Sequence, residues 1–384
     1  MSINKDIELV ENEEELLENE EELSTSFENK GVYPMSGIKV EKGFYTVFEL
    51  KRKYDSEERR IILDSDFQRD AVWKLSQKAE LIESILMGLP LPIFYFNEDK
   101  SGRLIVIDGR QRLTALFEFL DNNFSLGKLK ILTEFQNKKF KDLSPLYKSK
   151  IEDYQIQAHV IQPPTPDRIK FDIFDRVNRA GTQLNKQEIR NALYQGKATE
   201  LLKRISKSKE FSLATGKAFE KNNRMKDKYL ILRFISFYLY FNNKIRDDDD
   251  ELYQYKNDLD DFLGISMETL NDMTLSEIRG IEEVVLRALK NSYYYLGENA
   301  FRLISSGRKK TPINMNVFEI VLYIMKDIPC NTEEIKDEVY EHIHRLLNNA
   351  EFIDSIKDHR DNLKKINIRF MLANNIIRRI LNDD

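Results

Sequence analysis

The sequence predicts an α+β fold, with a small mixed sheet carrying helices in the first half and an all-α helical domain in the second. Three observations predict it. Apolar runs of strand length alternate with helix-period segments up to residue 162. The Pro163-Pro164-Thr165-Pro166 run then punctuates the chain. Beyond it, apolar positions recur almost entirely at helical spacing. The expected organisation is an acidic, disordered tail over 1–30, a sheet-bearing domain over 31–200 and a helical domain over 201–384.

The elements follow in order. Thr46 is a suitable N-cap for a short amphipathic helix bearing Val47, Phe48, Leu50 and Tyr54. A strand is expected over 61–63 and a helix from Ser76, with Leu81, Ile82, Ile85 and Leu86 inward until Gly88, Pro90 and Pro92 stop it. Strands over 93–96 and 104–107 flank a turn, and the second runs into a helix with Leu113, Leu116, Phe117 and Leu120 on one face. Residues 124–132 read as a hairpin around Gly127, 143–151 as a helix, and 154–161 alternates with the period of a strand. Helices are expected over 167–177 and 187–194. The remaining apolar stretches, 201–205, 229–241, 281–289, 317–325, 339–347 and 366–380, are helical, and no period repeats as a solenoid would require.

Composition narrows the function classes. With 384 residues, 33% charged and 41% hydrophobic, the chain has room for two or three domains and a sizeable core. The longest apolar stretch, 229–241, is too short to span a bilayer and contains Arg233. The acidic N-terminus lacks the pattern of a signal peptide, and the single cysteine, Cys330, excludes an internal disulfide and a cysteine-based zinc cluster. A cytoplasmic protein is expected. The net charge of −5 is uneven: residues 1–23 hold ten acids against Lys5, leaving the body mildly basic.

Chemistry concentrates in three polar clusters: Gln68-Arg69, Asp108-Gly109-Arg110-Gln111-Arg112, and the segment from Asn178 and Arg179 through Gly181 to Gln183. The middle cluster lies where a buried strand hands over to a helix, a position suited to anions by its backbone N–H groups and helix dipole. Arg110 and Arg112 add positive charge, Gly109 permits a tight turn, and Asp108 suits a metal or an arginine partner. A phosphate site is the first expectation. No Ser-His-Asp spacing, Cys-His pair or Walker-type loop is present.

Four ordered blocks carry a family resemblance: Asp66-Phe67-Gln68-Arg69 with Val72-Trp73; Leu81-Ile82-Glu83-Ser84-Ile85-Leu86 with Gly88-Leu89-Pro90-Leu91-Pro92; Ile107-Asp108-Gly109-Arg110-Gln111-Arg112-Leu113; and Phe174-Asp175-Arg176-Val177-Asn178-Arg179 with Gly181-Thr182-Gln183-Leu184-Asn185 and Glu188-Ile189-Arg190-Asn191-Ala192. Over roughly 45–200 the chain resembles the N-terminal domain family of GmrSD-type restriction endonucleases. The resemblance implies a ParB/sulfiredoxin-like fold that binds and hydrolyses nucleoside triphosphates with Mg²⁺, in bacterial defence against phage or in sensing modified DNA. The family's Asp-Gly-Gln-Gln-Arg signature falls on Asp108 to Arg112, with Arg110 where glutamine is usual. It implies Asp108 holding Mg²⁺, Gln111 positioning water, Arg112 on phosphate, and Gln68, Arg69, Gly109, Arg110, Asn178, Arg179 and Gly181 around the nucleotide.

Two-part members of the family carry a His-Asn-His nuclease, whose Asp-His-Ile stretch has no match here. His342 and His344, two apart on a predicted helix, make poor joint ligands. The expected protein is a nucleotide switch acting through its helical domain or a partner nuclease. DNA is the expected partner, because ten Lys/Arg face four acids over 197–228, with Lys203, Arg204 and Lys207 at the centre of the strip. Tyr293, Tyr294 and Tyr295 fit core packing better than base stacking. The alternatives are a nucleic-acid-binding module without nucleotide turnover and a nuclease with its site on the first domain.

Overall fold

The computed structural model describes residues 38–63, 73–99, 101–165, 167–178, 185–220, 224–247, 250–304, 311–357 and 361–381. It divides the chain into two compact units, Val32–Leu193 and Tyr194–Asp384.

The first unit is α+β. Its elements are β1 (Lys39–Thr46), α1 (Val47–Asp55), β2 (Ile61–Ile62), α2 (Leu75–Met87), β3 (Phe94–Glu98), β4 (Leu104–Asp108), α3 (Arg110–Leu120), α4 (Pro145–Glu152), β5 (Gln155–Gln162), α5 (Asp167–Asn178) and α6 (Lys186–Leu193). The five strands form one mixed sheet in the order β1-β5-β3-β4-β2. β1–β5 and β3–β4 are antiparallel, while β5–β3 and β4–β2 are parallel. Phe94, Phe96, Leu104, Val106, Ile156, Ala158 and Val160 point from one face into a core closed by Val47, Leu50, Ile82, Ile85, Leu113, Leu116, Phe119 and Ile151 of the helices. Strand alternation and helical periodicity therefore meet in the same core. Thr46 caps α1, its side chain accepting from Glu49 N at 3.0 Å.

One local expectation changes and one element is new. β1 lies just before the first helix, over residues for which the sequence predicts no element. It is an edge strand with one partner, β5, and most of its residues are exposed, so no hydrophobic alternation announces it. The hairpin expected over 124–132 is absent. That segment is a loop anchored by Leu126 and Leu129 in the core, and Glu83 of α2, only 4% exposed, takes the place of a partner strand. Glu83 Oε1 accepts from the backbone N–H groups of both Ile131 and Leu132, each at 2.8 Å. The two lone pairs of one carboxylate oxygen accept both bonds, strengthened by its charge. Replacing Glu83 with alanine should cost about 2–3 kcal/mol in urea unfolding, because both N–H groups lose a charged acceptor. Glu83→Gln, which keeps an acceptor oxygen, should cost less.

The second unit is helical: α7 (Lys197–Ser206), α8 (Lys209–Ala214), α9 (Lys226–Phe241), α10 (Leu259–Asp272), α11 (Leu275–Leu296), α12 (Met315–Met325), α13 (Lys336–Leu347), α14 (Ala350–Ile356) and α15 (Leu363–Leu381). Among its described residues the only β pairings are the isolated bridges Arg246–Leu252 and Arg302–Ile313. Every residue of α12 is buried, as its nearly continuous apolar sequence requires, and α9, α11 and α15 pack around it. Glu319 sits in that helix beside a buried ion network. Arg233 of α9 donates to Asp361 Oδ2 at 2.8 Å, Glu319 Oε2 at 3.0 Å and Asn316 Oδ1 at 3.2 Å. Arg369 of α15 donates to Asp361 Oδ1 at 2.6 Å and to Ser355 O at 3.2 Å. Two guanidinium groups thus balance two carboxylates away from water. No helix among the described residues is long and apolar enough to cross a membrane.

Candidate functional site

β4 ends at Asp108, Gly109 makes the turn alone, and α3 begins at Arg110. The tightness has a packing cause. Leu104, Ile105, Val106 and Ile107 are buried on one side of the turn, and Leu113, Ala115, Leu116 and Phe117 on the other. Both elements are anchored, so the chain must reverse in one residue. Gly109 does so at φ +98°, in the left-handed region. A Cβ there would lie 2.1 Å from Phe94 Cδ1, so van der Waals contact alone would exclude a side chain.

The first turn of α3 holds no acid and instead presents Arg110, Gln111 and Arg112. Cations at the positive end of a helix work against its dipole, and an anion there would relieve the conflict. Arg110 and Gln111 are half-buried. Arg112 is held more closely, with its side chain 11% exposed. Its guanidinium donates to Asp108 Oδ2 at 2.7 Å, to the carbonyl of Pro92, and at 3.5 Å to the carbonyl of Ile93. It also lies 4.1 Å over the Phe94 ring. Burial draws the guanidinium below the usual arginine range, and the Asp108 carboxylate opposes that shift. Arg112 thereby ties the start of β3 to the end of β4 and orients Asp108, whose own side chain is 43% exposed.

The other residues expected at the site fall in several places. Gln68, Arg69, Arg179 and Gly181 lie outside the described residues, and Asn178 is the last residue of α5, its side chain also outside that set. Lys203, Arg204 and Lys207 are on or just after α7 in the second unit. Arg204 there is engaged by both carboxylate oxygens of Glu282, with Nη2 at 2.7 Å, so its charge is locally neutralised. His342 lies 3.7 Å from Glu338, whereas His344 is beside Asn348 and stacks on Tyr340. Tyr295 is buried and donates to Pro329 O at 2.7 Å, and Tyr294 donates to Glu333. Among the described residues no three His, Cys, Asp or Glu side chains converge as a metal site.

α6 packs against β4 and buries polar residues that the sequence does not mark as buried. Gln187, Glu188, Arg190 and Asn191 are all buried, with Gln187 and Arg190 at 0% exposure. Arg190 donates to Gln187 Oε1 at 2.7 Å and lies 5.8 Å over Phe171. Asn185 and Glu188 cap the helix reciprocally, Glu188 N reaching Asn185 Oδ1 at 2.8 Å and Asn185 N reaching Glu188 Oε2 at 2.7 Å. The Asn-x-x-Glu spacing is visible in the sequence. The burial is not, because polar residues on a short helix ordinarily mark a solvated face.

The family model described as GmrSD restriction endonuclease, N-terminal domain, matches residues 49–195. No curated protein and no solved structure matches the chain.

Proposed function

We propose that this chain, whose residues 49–195 match the family model of the GmrSD restriction endonuclease N-terminal domain, is a protein of a restriction system whose Gly109 corner binds and hydrolyses a nucleoside triphosphate. The observation that carries this is a helix start bearing two arginines and no acid, reached through a glycine that has no room for a side chain. Such a corner favours an anion on both dipole and charge grounds. Arg110 and the first-turn backbone of α3 bind the phosphates, and Gln111 orients the attacking water. That water's oxygen bonds to the terminal phosphorus, the bridging oxygen leaves with the diphosphate, and a proton passes to solvent.

Mg²⁺ fits this donor set. It is commonly held by one or two carboxylates, with phosphate oxygens and water completing the octahedron, and Asp108 supplies one partly exposed carboxylate. The ion would neutralise charge on the phosphates. Arg112 acts on Asp108 rather than on the phosphates, since its guanidinium already faces Asp108 and the carbonyls of Pro92 and Ile93. DNA is the target whose cleavage the nucleotide state governs, through a partner nuclease.

Thermal-shift measurements with each of the four NTPs and Mg²⁺ test the reading, since a ligand bound only by the native state raises its melting temperature. At least one NTP should stabilise the full chain and be turned over to diphosphate. Asp108→Ala should lower turnover by about 100-fold or more, in line with the loss of one strong electrostatic group. Failure of every NTP to shift the melting temperature, with and without DNA, would overturn the proposal.

A further inference from the structure

The strand register carries one line of residues across the sheet to the Gly109 corner. Lys42 of β1 lies opposite His159 of β5, His159 beside Tyr95 of β3, and Tyr95 opposite Asp108 of β4. Lys42, His159 and Tyr95 project from the same face, as directly paired residues do, while Asp108 meets Tyr95 across a register shift between Tyr95 and Phe96 that interrupts the alternation from Val106. This is the face away from Phe94, Phe96, Val106, Ala158 and Val160, which fill the core. The Tyr95 and His159 rings lie against each other, with centroids 5.4 Å apart and planes inclined by 36°.

The adjacent line on that face behaves differently. Val40 is opposite Ile161, Asn97 pairs with both Ile161 and Ile105, and these last three residues are buried at 0–2% exposure. The face therefore closes along the Asn97 line and opens along the Tyr95 line, where Tyr95 and His159 are half-buried and Lys42 is exposed. Among the described residues neither the Tyr95 hydroxyl nor the His159 ring makes a hydrogen bond, so packing alone does not account for their polar atoms. Directly paired strand residues have Cα atoms about 5 Å apart, so the aromatic pair begins one strand from the carboxylate of the phosphate corner.

Resting on the nucleotide reading of that corner, we propose that Tyr95, backed by His159, is the platform on which the base of the bound nucleotide stacks. A base needs a flat apolar surface that tolerates a polar edge, and an aromatic side chain supplies it through its π-face. Phosphates at the first turn of α3 and a base on Tyr95 would occupy adjacent strand ends. The site then recognises a nucleoside triphosphate as a whole, not merely a polyphosphate.

The test compares inorganic triphosphate with the four NTPs, each with Mg²⁺, by calorimetric titration of the full chain and of its Tyr95→Ala, Tyr95→Phe and His159→Ala variants. Wild type should bind its preferred NTP roughly 5- to 150-fold more tightly than triphosphate, the range expected of one stacking contact. Tyr95→Ala should bring the NTP down to the triphosphate level while leaving triphosphate binding unchanged. Tyr95→Phe should keep the preference and His159→Ala should reduce it. Equal affinity of wild type for triphosphate and NTP would overturn the platform and leave the phosphate corner standing, as would an unchanged preference in Tyr95→Ala. Wild type binding neither ligand would overturn the phosphate corner and the platform together. The wild-type comparison decides the matter even if a variant does not fold.

Discussion

Replacing Arg233 with methionine is expected to destabilise the helical unit by about 3–5 kcal/mol, because it strands carboxylates that water cannot reach. Asp361 would keep Arg369 at 2.6 Å, whereas Glu319 would keep the same group only at 3.8 Å. Glu319 is the weaker partner already. Burial and the neighbouring Asp361 charge push its carboxyl up to about 7, against the pull of both arginines. The two arginines hold Asp361 well below the usual carboxylate range.

These shifts give opposite pH dependences. The folded state holds the Glu319 proton up to about pH 7, where the unfolded chain has released it by about 4.5, so this contribution is present at low pH and fades as pH rises between those values. The Asp361 contribution is present above the carboxyl's ordinary value of 3.8 and is lost as pH falls below it. Arg233→Met pushes Glu319 further toward its neutral form, so the variant should lose most at pH 8 and less at pH 6. A calorimetric scan of the full chain should show a drop of roughly 10 °C in the transition of this unit at pH 8. Adding Glu319→Gln should recover part of it by removing the stranded charge. A melting temperature unchanged at pH 8 would mean that the network contributes nothing net.

Gly109→Ala is expected to damage the corner and its ligand response together. The new Cβ would meet Phe94 Cδ1 at 2.1 Å and Cε1 at 2.5 Å. Phe94 has nowhere simple to go, since it is 1% exposed and lies under the Arg112 guanidinium at 4.1 Å. Overpacking of this kind costs about 1–3 kcal/mol, and a side chain held in the left-handed region adds about 1–2 kcal/mol. The sum, roughly 2–5 kcal/mol, should be visible in urea unfolding followed by Trp73, the single tryptophan, which packs against the same core. Displacing Phe94 also releases Arg112 and with it Asp108, so the NTP-dependent rise in melting temperature should disappear. Gly109→Ala combined with Phe94→Leu separates the two costs, because it relieves the clash and leaves the backbone conformation. Wild-type stability in Gly109→Ala would refute the steric account.

The corner was legible in advance because its parts are local. Four consecutive apolar residues from Leu104 to Ile107, Gly109, and the helical recurrence of Leu113, Leu116, Phe117 and Leu120 specify strand, turn and helix within 17 residues. Thr46 as a cap and the alternation ending in β5 are local in the same sense. β1 is not legible in the sequence because Lys39, Glu41, Lys42 and Gly43 carry no period, and it becomes a strand through pairing with β5 far along the chain. The loop over 124–132 resembles a hairpin in sequence but is not one, because its backbone donors at Ile131 and Leu132 are satisfied by Glu83, some fifty residues earlier, and not by a partner strand.

By itself, then, the sequence determined the α+β class followed by helices, the position of the Gly109 turn and the charge gathered there, since periodicity, glycine conformation and side-chain charge need only near neighbours. Tertiary structure alone decided that Arg112 faces Asp108 and Phe94, that the polar residues of α6 are buried, that Glu319 and Arg233 share one network, and that Tyr95 opens beside Asp108. Each of these depends on which distant elements meet. A side chain's partners and dielectric surroundings are properties of the packed fold, and a short stretch of chain carries no record of them.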